Sequence, residues 1–187
     1  LVYIASIFAI TLWGMSYIWT DKLIALNIPI FYFVFVRILV AGIVLFLFNT
    51  AYARIKRIQK QDLGKFLLLA FFEPFIYFIC ETYGLKLTGS PTLSAMVVAT
   101  IPIFSIGAGM IFFKEKVNVV NIVGIVFTLI GIIMVAMAKG ELGENFIWGV
   151  VLLLIAVVSE VGHASITKSL SGNYSSQIIV MYQFLIG

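Results

Sequence analysis

Long apolar runs alternate with short polar punctuation along this chain. A membrane-spanning helix needs about 20 mostly apolar residues, with a range of about 17–25. Runs of that kind cover residues 2–20, 30–49, 65–86, 92–113, 118–138 and 146–167, and a seventh begins near Ser175. The breaks carry turn or charge chemistry: Asp21-Lys22 with Asn27 and Pro29, Arg54 to Asp62, and Thr88-Gly89-Ser90-Pro91. Lys114-Glu115-Lys116, Lys139 to Asn145 and Lys168 to Asn173 complete the set. Barrel strands would alternate apolar and polar over roughly 10 residues, whereas 122–137 is apolar on every side. Helices also satisfy their own backbone hydrogen bonds in lipid. The pattern predicts an all-α, polytopic transmembrane helix bundle.

Composition strengthens that reading. Of the 187 residues 63% are hydrophobic and 11% charged, against about 45–50% and about 25% in soluble domains. A soluble enzyme, a nucleic-acid-binding module and a disordered segment are excluded. Cys80 is the only cysteine and His163 the only histidine, which excludes a disulfide framework and His-pair motifs. No metal, no cofactor and no catalytic group is expected. The net charge of +4 matters less than its placement. Arg54, Lys56, Arg57, Lys60, Lys65, Lys114, Lys116 and Lys168 fall on one side; Lys22, Lys86 and Lys139 fall on the other. The richer side is expected to be cytoplasmic, with the amino end inside and Trp19 and Trp148 at the outer interface. Residues 2–20 lack the basic start and the small-residue cleavage site of a signal peptide.

Five ionisable residues fall inside the spans: Arg37, Glu73, Glu81, Glu160 and His163. A charge at the bilayer centre costs about 2.5–3.5 kcal/mol on insertion scales, so such groups face the bundle interior, pair, or line a wet cavity. At about 1.5 Å rise per residue, Arg37 lies roughly 10 Å and Glu81 roughly 8 Å below the outer surface. They are the natural structural ion pair. Glu73 and Glu160 both fall near 20 Å on the same scale, with no obvious cation. An unpaired buried carboxyl tends to be neutral, as a proton-coupling site or a site awaiting a cationic substrate requires. His163 reads as a neutral, hydrogen-bonded imidazole near the cytoplasmic edge.

Helical spacing places Glu73, Tyr77, Cys80 or Glu81, and Gly84 on one stripe. Pro74 and Pro102 free the carbonyls of Ala70 and Val98 and predict kinks. Free carbonyls at this depth are tolerated beside neighbours or water, so a central cavity is expected. Trp13, Ser16, Tyr17 and Thr20 share a face of the first helix that suits either packing or a cavity wall. Asn121, Gly124, Thr128, Gly131 and Ala138 predict a small-residue packing seam.

The segments 11–18 and 159–166 are weakly alike, and five spans separate them. An odd number of spans per repeat inverts the second copy, the plan of many secondary transporters. Several features then resemble the EamA-like branch of the drug/metabolite transporter superfamily. They are Leu12-Trp13-Gly14-Met15-Ser16, Arg37, Tyr83-Gly84-Leu85, Thr88-Gly89-Ser90-Pro91, Ile101-Pro102-Ile103-Phe104, Phe112-Phe113-Lys114-Glu115-Lys116, and Gly124 to Gly131. The resemblance implies ten helices in two inverted five-helix repeats. Residues 1–138 would be the first repeat and 139–187 the start of a second, truncated one. It implies export of small metabolites such as amino acids across the plasma membrane, and places Glu160 and His163 where the family more often has aromatic or apolar residues.

The substrate or ion site is expected at Trp13, Glu73, Tyr77 and Glu160, with Arg37–Glu81 as a structural pair. A small-molecule substrate and the bilayer are the expected partners, with proton coupling and a homodimer left open and nucleic acid excluded. A non-transporting scaffold is the alternative. A membrane-embedded enzyme is the weaker one, since its only candidates, Cys80 and His163, would lie near opposite faces.

Overall fold

The computed structural model describes residues 2–52, 56–113, 118–138 and 144–187. Among the described residues the chain is helical with no strand: α1 (Val2–Ala25), α2 (Ile30–Ala51), α3 (Leu63–Ala70), α4 (Tyr77–Thr88), α5 (Pro91–Val98), α6 (Ile101–Phe113), α7 (Val119–Ala138), α8 (Glu144–Leu170) and α9 (Ser176–Ile186). Among the described residues five stretches are long and apolar enough to cross a membrane: Tyr3–Ala25, Ile30–Ala51, Lys60–Thr88, Pro91–Met110 and Glu144–Leu170. Glu115, Arg54 and the charges around Lys139 lie outside the described residues.

Local chemistry sets the helix ends. Asn27 turns the chain after α1 with a left-handed φ of 56°, a conformation Asn tolerates better than most residues, and Pro29 leads into α2. Gly89, also left-handed at φ 54°, closes α4 by donating its N–H to Leu85 O at 2.9 Å, the usual glycine stop. Ser90 then caps α5, its Oγ accepting from Leu93 N at 3.3 Å, with Pro91 in the first turn where a missing N–H costs nothing.

The two predicted kinks are complete breaks. Between α3 and α4 the backbone widens into a π-type turn over Phe71–Ile76, inside which Glu73 leaves helical geometry at φ −135°, ψ 124°. The residue before a proline is pushed out of the α region by the pyrrolidine ring, so Glu73 is the position that yields. Between α5 and α6 the helix stops at Val98 and restarts at Ile101, with Pro102 in the new first turn. Thr100 caps the gap by donating its hydroxyl to Val97 O at 2.6 Å.

Helix α8 is the central pillar, packed along α4 and touching α3, α5 and α6, while α9 lies against α2 and α3. The α4–α8 crossing is tight. A Cβ on Gly84 would stand 2.9 Å from Gly149 O, and one on Gly149 would stand 2.9 Å from Thr88 N. Small residues are how membrane helices approach closely. Near the opposite end, Tyr174 donates to Asp62 Oδ2 at 3.0 Å and accepts from Gln59 N at 3.0 Å. Lys56 Nζ donates to Asn173 O at 2.6 Å, tying the segment before α3 to the α8–α9 turn. Large apolar side chains of α1, α2 and α7, such as Ile7, Phe35 and Phe127, are exposed, as surfaces facing hydrocarbon should be.

The predicted α7 seam has little against it among the described residues. None of them lies within 4 Å of a Cβ built on Gly124, and Met96 Cε only reaches 4.0 Å from one on Gly131. The Thr128 hydroxyl turns back onto Gly124 O at 2.8 Å. Small residues permit close packing but do not specify it, and here the close approach falls at Gly84 and Gly149 instead. The side chains of Asn121 and Ala138 lie outside the described residues. Gly149→Ala is therefore expected to destabilise the full-length protein by about 1–3 kcal/mol through overpacking. Denaturant unfolding in detergent checks this; wild-type stability in the variant would contradict the tight crossing.

Candidate functional site

The two helix breaks face a common cavity of about 690 Å³, walled by parts of α1, α2, α4, α6, α8 and α9. Trp13, Arg37, Glu73, Tyr77 and Glu160 line it together with apolar groups that include Phe78, Pro102 and Phe184. All four residues expected at a substrate or ion site thus border one space, and Arg37 borders it too. Its volume lies within the roughly 300–1,000 Å³ of small-molecule pockets.

One group of polar contacts centres on Glu81, which is buried. Its Oε1 accepts hydrogen bonds from Tyr17 Oη at 2.6 Å and from Tyr77 Oη at 2.9 Å. Its Oε2 stands 3.8 Å from Arg37 Nη1, an ion-pair distance too long for a direct hydrogen bond. Two phenol donors and a guanidinium are the surroundings a carboxylate needs in a low-dielectric interior. Arg37 also lies over the Phe78 ring, 4.1 Å from its centroid, a cation–π contact. Arg37 is also one of the residues that line the cavity. Tyr77 contributes its ring to the wall while its hydroxyl belongs to Glu81. The sequence places Tyr17 only on a face of the first helix; its role depends on how α1 leans on α4.

The second group corrects the expectation for Glu73 and Glu160. The two acids do have a partner. His163 Nδ1 lies 3.2 Å from Glu73 Oε2 and 3.3 Å from Glu160 Oε1. Its Nε2 lies 2.9 Å from Gln183 Oε1 and 3.4 Å from Thr167 Oγ1. His163 is hydrogen-bonded as expected, and its partners are the two acids, Gln183 and Thr167. Glu160 and His163 are three residues apart and share a face of α8, as helix geometry requires, and the break at Glu73 brings the third member over from the α3–α4 span. Ser159 holds that break in place by donating to Phe72 O at 2.8 Å. Gly162 gives the Phe72 ring room, its atoms lying 3.2–3.3 Å from where a Cβ would be. Gln183 is buried; a glutamine within the apolar run of α9 was the one signal in the sequence that pointed to it.

Glu73, Glu160 and His163 each offer one ligand atom, all within 4.8 Å of one another. Cys80, a half-buried free thiol, is not among the residues bordering the cavity.

The sequence profile of the EamA-like transporter family matches residues 1–137. The chain belongs to that family. It is similar to an uncharacterized transporter of Archaeoglobus fulgidus, 23% identical over 182 residues that cover 95% of this chain and 61% of the relative. It is also similar to the uncharacterized transporter YetK of Bacillus subtilis, 25% identical over 189 residues, 99% of this chain and 57% of the relative. A third, YdfC of Bacillus subtilis, is 27% identical over 124 residues, 66% of this chain and 40% of the relative. No solved structure matches the chain. This EamA-like chain thus spans about 61% and 57% of the first two relatives, and it is an integral membrane protein of a transporter family.

The Glu81 network carries a prediction of its own. Tyr17→Phe removes a short bond to a buried acid and is expected to cost about 1.5–3 kcal/mol of stability, the range for hydrogen bonds to charged groups. Denaturant unfolding of the full-length protein in detergent measures it, and wild-type stability in the variant would remove Tyr17 from the network.

Proposed function

We propose that this chain is part of a secondary active transporter that moves small polar or amphipathic metabolites, amino acids and related compounds among them, by alternating access. The direction proposed is export across the plasma membrane, with the amino end in the cytoplasm. The observation that carries the reading is the cavity itself. The Arg37 guanidinium, which also faces Glu81, borders the same space as the Glu73–Glu160 acids, between aromatic and apolar walls. A ligand bearing both a cationic and an anionic group would find a counterpart for each, and an apolar body would lie against Trp13, Phe78 and Phe184.

The broken helices support the same reading. Secondary transporters place substrate at interrupted helices near the midplane, where unwound backbone lines a cavity. Residues 1–138 are proposed as one repeat and 139–187 as the start of its inverted partner. Further spans would complete the path, and a homodimer is compatible with the exposed face of α7.

The test uses the full-length protein in sealed vesicles loaded with labelled amino acids, with and without an imposed pH gradient. Wild type is expected to show saturable transport, and Glu73→Gln to lower it by at least about tenfold, the signature of an interaction lost from the transport step. The gradient arm asks whether protons are the coupling ion. Undiminished transport in Glu73→Gln would remove the acid from the mechanism, and saturable transport absent from wild type would favour a scaffold.

A further inference from the structure

We propose that Glu73, Glu160 and His163 bind one divalent transition-metal ion of the zinc class at the inner wall of the cavity. The inference stands on ligand geometry in the cavity of the transport reading: with a metal bound, Glu73 and Glu160 would meet the metal rather than a cationic group of the substrate, and metal binding and transport are measured separately.

Hydrogen bonding fixes the imidazole. The Gln183 side-chain oxygen lies 2.9 Å from Nε2 and can only accept, so Nε2 carries the proton and donates it. In the neutral ring Nδ1 then presents a lone pair, and it faces two carboxylate oxygens at 3.2 and 3.3 Å. Three electron-rich atoms thus converge on one point, an arrangement that a proton or a metal cation between them would satisfy. A buried amide orienting the second nitrogen of a ligating histidine is the usual outer support of a metal site.

The spacing fits a small ion. Ligands at about 2.0–2.1 Å from a tetrahedral centre stand roughly 3.3 Å from one another, and both Nδ1–oxygen distances match such an edge. The third edge lies within 4.8 Å and closes by rotation about the glutamate side-chain bonds. An imidazole among the ligands favours zinc-class ions over magnesium or calcium, which prefer oxygen alone. Two carboxylates balance a 2+ charge in a medium where net charge is costly. Glu73 and Glu160 border the cavity, which supplies an access route and leaves the fourth position open toward it. Counting histidines in the sequence excludes paired-imidazole sites, but it does not exclude a mixed site whose third ligand comes from another span.

A proton on Nδ1 would meet the same electrostatic need, so the experiment has to separate the two. Purified full-length protein in detergent, stripped with a chelator, is titrated with Co2+ and followed by visible absorption. The expected result is saturable uptake of one cobalt per chain, displaced by Zn2+ and not by Mg2+ or Ca2+. Glu160→Gln and His163→Gln should each weaken uptake by at least about tenfold, and Gln183→Leu by about 10–100-fold through loss of the outer hydrogen bond. Failure of wild type to bind cobalt saturably would show that the cluster holds a proton only and would overturn the proposal, whatever the variants do. Binding that survives unweakened in both Glu160→Gln and His163→Gln would place the metal elsewhere and overturn it equally.

Discussion

A carboxyl group inside a hydrocarbon slab has to be met by donors, cations or water, and this bundle is arranged around meeting three of them. Glu81 gathers α1, α2 and α4 through Tyr17, Arg37 and Tyr77. Glu73 and Glu160 gather the α3–α4 break, α8 and α9 through His163 and Gln183. Apolar packing in a membrane lacks the hydrophobic drive it has in water, so these polar contacts fix which faces of otherwise uniform helices turn inward. The cavity lies between the two groups and borrows residues from both.

Backbone breaks provide the second constraint. Pro74 falls inside a span and costs a helical hydrogen bond, whereas Pro102 sits in the first turn of α6, where its missing N–H costs little. Ser159, donating to Phe72 O, and Thr100, donating to Val97 O, hold the backbone at the two breaks. The first break does more than bend the span. It takes Glu73 out of helical register and lets its side chain reach α8, which a straight helix would have offered only along the stripe of Tyr77 and Glu81. The tight Gly84–Gly149 crossing keeps α4 against α8 while the segments around the breaks stand apart.

The spans, the all-helical class and the polar residues that converge were legible in the sequence because each rests on length, apolarity or depth along a helix axis. Depth alone matched Arg37 with Glu81 and put Glu73 level with Glu160. Azimuth was not legible. Whether His163 points to a lipid edge or to two acids depends on the rotation of α8, and the rotation depends on partners such as Gln183 and Phe72 far away in the chain. The same blindness applies to α7, where Gly124, Thr128 and Gly131 read as a seam although no described residue lies within 4 Å of a Cβ built on Gly124. Small residues mark where helices could meet, and only the full set of contacts decides where they do.

The central claim is that the acid clusters border a space reached by water in the membrane-embedded protein. Thiol labelling tests it most directly, with Ala99→Cys on the cavity wall in a Cys80→Ser background of the full-length protein, held in native membranes. The account predicts modification by a small hydrophilic thiol reagent without detergent. A thiol at position 99 that reacts only after denaturation would mean a dry, closed bundle and would contradict it.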